Sequence, residues 1–345
     1  MRLWPPLMGE PDAPVRYSGN FASVNRNKRS IAVDLKSAGD KARVLELARA
    51  ADVVVENFRA GTLDRLGLGY EVLAEGNPKI VYCSISGYGQ TEPYARRGAF
   101  DLTVQAVSGL MSVTGEEHGE PVKCGVPVGD FVAGLYAAYT ITAAVHRAQR
   151  TGRGGRIDCS MLGALLAIAA LQTSEYFGTG RDPRRLGSAH PRNAPYRAFR
   201  ASDKGFVVAA GNEDLWRRFC AVVGLPRLTD DPRFRTQELR ARNQDKLTKL
   251  LARPFLDRDA ASWLAAFEDA GVPCAPINTF SEILTDPQVA AMGLVKPLEL
   301  PNGVTTSTIT FPVPITGHAA PLRPPPLLGE HDDEVAKEWL DDHER

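Results

Sequence analysis

"DVVVENF" (residues 52–58) and "KIVYCSISGYG" (79–89) are short runs that carry apolar side chains at successive positions. A strand wetted on one face alternates apolar with polar residues, whereas a strand covered on both faces does not. Both runs are therefore predicted as interior strands. Between them, "RAGTLDRLGLGYEVLAEGNP" (59–78) supplies a turn and a short helix. Upstream, "KSAGDKARVLELARAA" (36–51) sets Val44, Leu45, Leu47 and Ala48 at helical spacing, with Ser37 in place to cap. Further upstream, "IAVDL" (31–35) alternates and is expected to be a third strand. Strand, helix, strand, helix, strand is the grammar of a parallel sheet with right-handed crossovers, which places the chain in the α/β class.

Beyond Tyr88 the pattern changes. "GQTEPYARRGAFD" (89–101) reads as a loop, and a helix is predicted near Leu102–Met111. A second loop ends at Asp130, which opens a run of small and apolar residues, "FVAGLYAAYTITAAV" (131–145). This run falls short of the roughly 20 residues that cross a bilayer and is expected to be a buried helix. "QRTGRGGRIDCSM" (149–161) is expected to turn the chain into a second apolar helix over about Leu162–Phe177. "TGRDPRRLGSAHPRNAPY" (179–196), rich in Gly, Pro and Arg, reads as a linker. A hairpin over 198–212, helices over 213–270, then a mixture of strand and helix and a proline-rich tail with a capped helix complete the chain. Breaks near 185 and 300 divide it into residues 1–185, a large domain; 186–300, a linker and small α+β domain; and 301–345, a segment returning to the large domain.

The 345 residues carry 41 basic and 41 acidic side chains, so nothing points to nucleic acid. The five cysteines form no Cys-x-x-Cys pair, and an odd number fits a reducing compartment; the cytoplasm is the expected location. The six histidines have no metal-ligand spacing, and no metal is expected. "MRLWPPLMGEPDAP" (1–14) is not built like a signal peptide, and no membrane partner is expected. No G-x-G-x-x-G follows a strand, which argues against a nicotinamide dehydrogenase. "TGRGGR" (151–156) lacks the Gly-Lys-Ser/Thr of a phosphate loop and reads as a helix stop.

Asp130 stands alone at the mouth of its apolar run. The plain reading is a helix N-cap, since Asp there accepts a backbone N–H and suits the positive end of the dipole. The chemical reading uses the same setting. A helix start keeps a carboxylate ionised, an ionised carboxylate can attack an activated acyl group, and nearby N–H groups can hold the oxyanion. His190 reads as structural or as a general base. Lys36, Arg65, Arg96 and Arg97 are ordinary surface charges unless they converge on an anion.

Six stretches in order resemble the family III CoA-transferases: "SVNRNKRSIAVDLK" (23–36), "ADVVVENFRAGTLDRLGLGY" (51–70), "IVYCSISGYGQTEPYARRGAFDLTVQAVSGLMSVTG" (80–115), "VPVGDFVAGLYAA" (126–138), "TGRGGRIDCSM" (151–161) and "PLLGEHDDEV" (326–335). The resemblance implies a Rossmann-like large domain and an interlocked homodimer. It implies coenzyme A and acyl-CoA as substrate, with a carboxylic acid as partner. Asp130 aligns with the family's nucleophile, which passes through a mixed anhydride and an aspartyl-CoA thioester. CoA contacts carry over to Val33, Lys36, Asn57, Phe58, Arg59, Arg65, Arg97, Gly98, Ala99 and Phe100.

Two departures accompany the resemblance. The strand–helix–strand that opens family members ahead of "SVNRNKRS" is missing here, which raises a truncated, non-catalytic CoA-binding protein as an alternative. "GSAHPRNAPY" (187–196) stands where the oxalate enzyme has a glycine-rich loop, so oxalate is not the expected acceptor. The α-methylacyl-CoA racemase branch is the other alternative. It uses a His–Asp step where this chain has Phe100–Asp101, and phenylalanine shuttles no proton.

Overall fold

The computed structural model describes residues 1–12, 15–91, 93–317 and 321–339. Ala13 and Pro14, Glu92 of the loop after Tyr88, and positions 340–345 of the expected C-terminal segment lie outside the described residues. By contacts the chain forms two units. One holds Met1–Ser84, Tyr139–Ile157 and the chain from Thr279 onward; the other holds Ile85–Ala138 and Asp158–Asn278.

In the first unit, strand Val53–Glu56 pairs in parallel with Val81–Ser86, Val53 opposite Val81 and Glu56 opposite Ser84. Helix Ala38–Ala50 starts where expected, with Ser37 Oγ accepting the Asp40 N–H at 3.4 Å. It packs Val44, Leu45 and Ala48 against Leu63, Leu68, Leu73, Ile80 and Tyr82. The sheet has a third strand, Gly155–Ser160, next to Val81–Ser86. That stretch was expected only to turn the chain. Its glycines serve close approach: a Cβ at Gly154 would lie 1.9 Å from the Ile80 carbonyl oxygen. The Gly154 and Gly155 N–H groups donate to Pro78 and Ile80 at 2.8 and 3.0 Å.

The strand expected over 31–35 does not form. Its exposure alternates as in a strand. Its backbone donors, however, go to side chains: Ala32 N–H to Asp332 Oδ1 and Asp34 N–H to Asp40 Oδ2, each at 2.8 Å. Around it the two ends of the chain meet. Tyr17 Oη donates to the Pro325 and Pro326 carbonyls at 3.0 Å, and Arg29 pairs with Glu334 and Glu338 of helix Asp332–Trp339 at 2.9 and 2.5 Å. The antiparallel hairpin Val295–Glu299 and Thr305–Ile309 adds Leu298, which packs with Leu300, Tyr17 and Ala22.

The second unit holds an antiparallel sheet of Tyr196–Arg200, Gly205–Ala209 and Cys274–Pro276. Helices Glu213–Val222, Gln244–Phe255 and Ala260–Asp269 close an aromatic core on it. Phe206 and Phe255 meet edge to face at 5.1 Å, and Phe219 stacks on Phe267 at 5.3 Å. Arg240 is fully buried beside this core. Glu213 takes it at 2.9 and 3.1 Å, and it donates to the Ala194 and Phe234 carbonyls.

The apolar run after Asp130 lies in a single helix, Val128–Thr151. It is longer than expected and meets the length and composition of a membrane-crossing helix, with 17% of its most apolar window buried. The expectation of a buried helix is therefore corrected. Leu135 and Tyr139 are 69% and 75% exposed, because no described part of the single chain covers that face. The second apolar helix is two: Met161–Ile168, capped by Ser160, and Ala170–Thr179.

Candidate active site

Asp130 is the third residue of its helix, not the cap, which corrects the plain reading of this acid. The capping role is filled from the neighbouring helix Asp101–Val107: Asp101 Oδ1 accepts the Gly129 N–H at 2.8 Å. Asp101 Oδ2 accepts from Gln105 Nε2 at 2.6 Å, and Gln105 Oε1 accepts the Cys124 N–H at 2.8 Å. Gln105 is fully buried. Gly129 is buried as well, and a Cβ there would lie 3.0 Å from Asp101 Oδ1 and 3.4 Å from Met161 Cε. The glycine lets the two helices approach.

The Asp130 side chain is itself exposed, and among the described residues its carboxylate has no hydrogen-bond partner. Burial of its surroundings, and then the like charge of Asp101, push its pKa above the ordinary carboxylate value. A raised pKa makes a carboxylate more basic and a better nucleophile once ionised. The expected oxyanion donors are partly committed. The Gly129 N–H belongs to Asp101, and the Val128 N–H donates to the Val126 carbonyl at 2.8 Å.

Arg97, Gly98, Ala99 and Phe100 lie in the same unit, on the loop that enters helix Asp101–Val107. Arg97, Gly98 and Phe100 are exposed, Phe100 by 80%. The Arg97 guanidinium lies 3.6 Å from the Tyr94 ring centroid, a cation–π contact that holds it without neutralising it. The Ala99 methyl is so close to Gly87 that a Cβ at 87 would meet it at 2.1 Å. Phe100 N–H donates to Thr103 Oγ1 at 3.0 Å, which fixes the loop where it enters the helix.

Val33, Lys36, Asn57, Phe58, Arg59 and Arg65 belong to the other unit. The buried Glu56 ends its strand and accepts the Phe58 N–H at 2.7 Å, which turns the chain outward. Burial, and secondarily Glu56, push the Tyr82 hydroxyl up to about 12. Phe58 is 47% exposed and lines an apolar cavity of about 420 Å³ with Val55, Leu63, Leu68 and Trp339. Asn57, Arg59, Arg65 and Lys36 are exposed, and Val33 is half-buried. Arg65 donates to Thr62 Oγ1 at 3.2 Å. This half of the predicted set therefore combines one apolar ring with three unburied cations, a composition suited to an adenine and its phosphates.

His190 does not read as a free base. Its Nδ1 accepts the Arg192 and Asn193 N–H groups, both at 3.1 Å, and burial followed by Arg192 lowers its pKa. Among the described residues no cluster of His, Cys, Asp and Glu stands at metal-binding distance. Sequence reasoning missed Asp101 and Gln105 as partners of the Asp130 segment. Their four-residue separation, which puts two side chains on one helix face, was the available signal.

The parallel sheet with its helices defines an α/β protein, with an exposed carboxylate on a glycine-supported helix start. Comparison with known proteins makes this specific. Residues 1–332 match the family model described as CoA-transferase family III, and the chain belongs to that family. It is 40% identical over 344 residues to human succinyl-CoA:glutarate CoA-transferase, covering 98% of this chain and 76% of that one. It is likewise 40% identical to acetyl-CoA:oxalate CoA-transferase of Acetobacter aceti, covering 92% and 82%. Among solved structures, a CAIB/BAIF family protein from Brucella suis aligns with a TM-score of 0.85 at 36% identity, over 98% of this chain and 88% of that one. The chain is thus a CoA-transferase, which moves CoA between an acyl-CoA and a carboxylic acid.

Proposed function

We propose that Asp130 is the nucleophile of this transfer and that the acids exchanged are small dicarboxylates. The observation that carries the first part is an exposed, raised-pKa carboxylate without a hydrogen-bond partner among the described residues, at a helix start capped by a different acid. An Asp130 oxygen attacks the thioester carbon, the C–S bond breaks, and CoA leaves as its thiolate, giving a mixed anhydride. The thiolate attacks Asp130 Cγ, releases the donor carboxylate and leaves an aspartyl-CoA thioester. The acceptor carboxylate attacks Cγ in turn and forms a second anhydride. The freed thiolate then takes the acceptor acyl group and restores Asp130. Every nucleophile and leaving group is an anion, so no net proton moves.

The racemase alternative lacks support at the same place. Both oxygens of Asp101 are engaged by Gly129 and Gln105, and Phe100 is no proton carrier. The dicarboxylate reading rests on relatives named for succinyl-CoA or succinate with glutarate; a relative named for oxalate is equally similar, although the 187–196 segment argues against that acid. Phe58, Lys36, Arg59, Arg65 and the Arg97–Phe100 loop are proposed to bind CoA. A second copy of the chain, interlocked with the first, is proposed to cover Leu135, Tyr139 and their neighbours. The five unpaired cysteines fit a reducing compartment such as the cytoplasm.

The test is incubation with succinyl-CoA and a panel of glutarate, oxalate and monocarboxylates, followed by mass spectrometry of the peptide that carries Asp130. A CoA thioester on that peptide, and loss of transfer with retained CoA binding in Asp130→Ala, are expected. Transfer by Asp130→Ala at the wild-type rate ends the nucleophile reading. Turnover of monocarboxylates alone ends the dicarboxylate one.

A further inference from the structure

The segment that leads into Asp130, residues 124–129, is held at both ends by one helix. Cys124 N–H donates to Gln105 Oε1, Gln105 Nε2 donates to Asp101 Oδ2, and Gly129 N–H donates to Asp101 Oδ1, at 2.8, 2.6 and 2.8 Å. The chain of bonds has a direction. Gln105 must accept on one side and donate on the other, and Asp101 must accept twice. A carboxylate can accept on both oxygens, whereas an asparagine would present a donor to one neighbour. Gln105 is fully buried, so a broken link leaves polar atoms that water does not reach. Between the clamped ends the segment reads Gly125, Val126, Pro127, Val128, with three exposed residues and one half-buried. Its own packing is thin.

We propose that Asp101 and Gln105 are positioning residues for the transfer reaction: a directional clamp that fixes the backbone of 124–129 and so aims the Asp130 carboxylate. The inference rests on the reading of Asp130 as nucleophile. The clamp gives the isolated acid at position 101 a function without making it a proton carrier. It also spends the Gly129 N–H on alignment. The titratable groups at the clamp are Asp101 itself, Cys124, Asp130 and Lys123, whose Nζ donates to the Cys124 carbonyl at 3.0 Å.

The test uses the full chain and compares Asp130→Ala, Gln105→Met, Gln105→Glu and Asp101→Asn, with succinyl-CoA and glutarate as probes. Gln105→Met keeps the side-chain volume and removes both bonds. Its kcat is expected to fall at least tenfold while KM for succinyl-CoA changes less than threefold, because the groups proposed to bind CoA are untouched. Gln105→Glu carries a signature that a purely structural role does not give. Once protonated, a glutamic acid both donates to Asp101 and accepts from Cys124, so its kcat relative to wild type should recover as the pH is lowered. Amide hydrogen exchange at Cys124 and Gly129 reads the clamp without turnover. Exchange should quicken at least tenfold at Gly129 in Asp101→Asn and at Cys124 in Gln105→Met, with helix Asp101–Val107 unchanged.

Unchanged kcat in both Gln105→Met and Asp101→Asn, with Asp130→Ala inactive, overturns the clamp and leaves the nucleophile standing. Active Asp130→Ala removes the nucleophile reading and with it the clamp's purpose. Unaltered exchange at both amides overturns the clamp whatever the kinetics. If Gln105→Met does not fold, Asp101→Asn and the pH behaviour of Gln105→Glu decide by the same criteria.

Discussion

The aromatic core of the second unit and the outer face of the Asp130 helix are both apolar, and they end up in opposite environments. Phe206, Phe219, Phe255 and Phe267 are wholly buried, each touching others of the set. Leu135, Tyr139 and Phe131 stand 69%, 75% and 55% exposed on the helix. The first region completes itself within one chain, since helices and sheet from residues 196–276 enclose it. The second has the composition of an interior and the exposure of a surface. Composition alone thus does not separate a face that one chain buries from one that it leaves exposed.

Three measurements sharpen or break this contrast. Phe255→Ala opens the centre of the closed core and should cost about 3–5 kcal/mol in urea unfolding. A loss below about 1 kcal/mol would mean the core is not the self-sufficient one described. Leu135→Glu should leave the stability of the single chain within about 0.5 kcal/mol, as surface changes do. It should weaken self-association at least tenfold, about 1.4 kcal/mol, in sedimentation velocity across a dilution series. Unchanged association in that variant removes the second copy as the cover.

The smallest effect concerns pH. The hydrogen bond from Arg240, ahead of its charge, holds Glu213 below its ordinary carboxylate value. A group with a depressed folded pKa contributes stability that is fully present above its unfolded value, about 4.3 for Glu. That contribution is lost as the pH falls through the lower folded value. Denaturant midpoints should therefore decline on acidification below about pH 4.3, and Glu213→Gln should flatten that slope. Glu213 is 46% exposed on its side chain, so the slope is expected to be shallow.

Local chemistry was legible in the sequence wherever one residue type decided it. Ser37 caps its helix, and the runs at 53–56 and 81–86 are parallel strands, though only 81–86 is covered on both faces: Val53–Glu56 lies at the edge of the described sheet with Val55 53% exposed. The alternation at 31–35 misled, because a backbone can be extended while its donors go to Asp332 and Asp40, and periodicity does not register who accepts. Strand Gly155–Ser160 was hidden by glycines that read as turn signals and are spacers against Ile80. Asp130 stands out in the sequence as an isolated acid, and in the structure it is exposed with its pKa raised. The acid that caps its helix does not stand out, since the bond from Gly129 to Asp101 joins residues 28 positions apart. Of the predicted contact set, residues 33–65 fall in one unit and residues 97–130 in the other, a division that no motif announces.

The meeting of the chain's two ends bears on synthesis. Arg29 finds Glu334 and Glu338, and Tyr17 finds the carbonyls of Pro325 and Pro326, across about three hundred positions. A ribosome makes the first partners of these pairs long before the last, adding about 5–20 residues per second. Tyr17 and Arg29 therefore stay without these partners until positions 325–338 have been made. The seating of the segment that carries them is thus a late event in folding, set by the slowest-arriving partner rather than by its own neighbours in sequence.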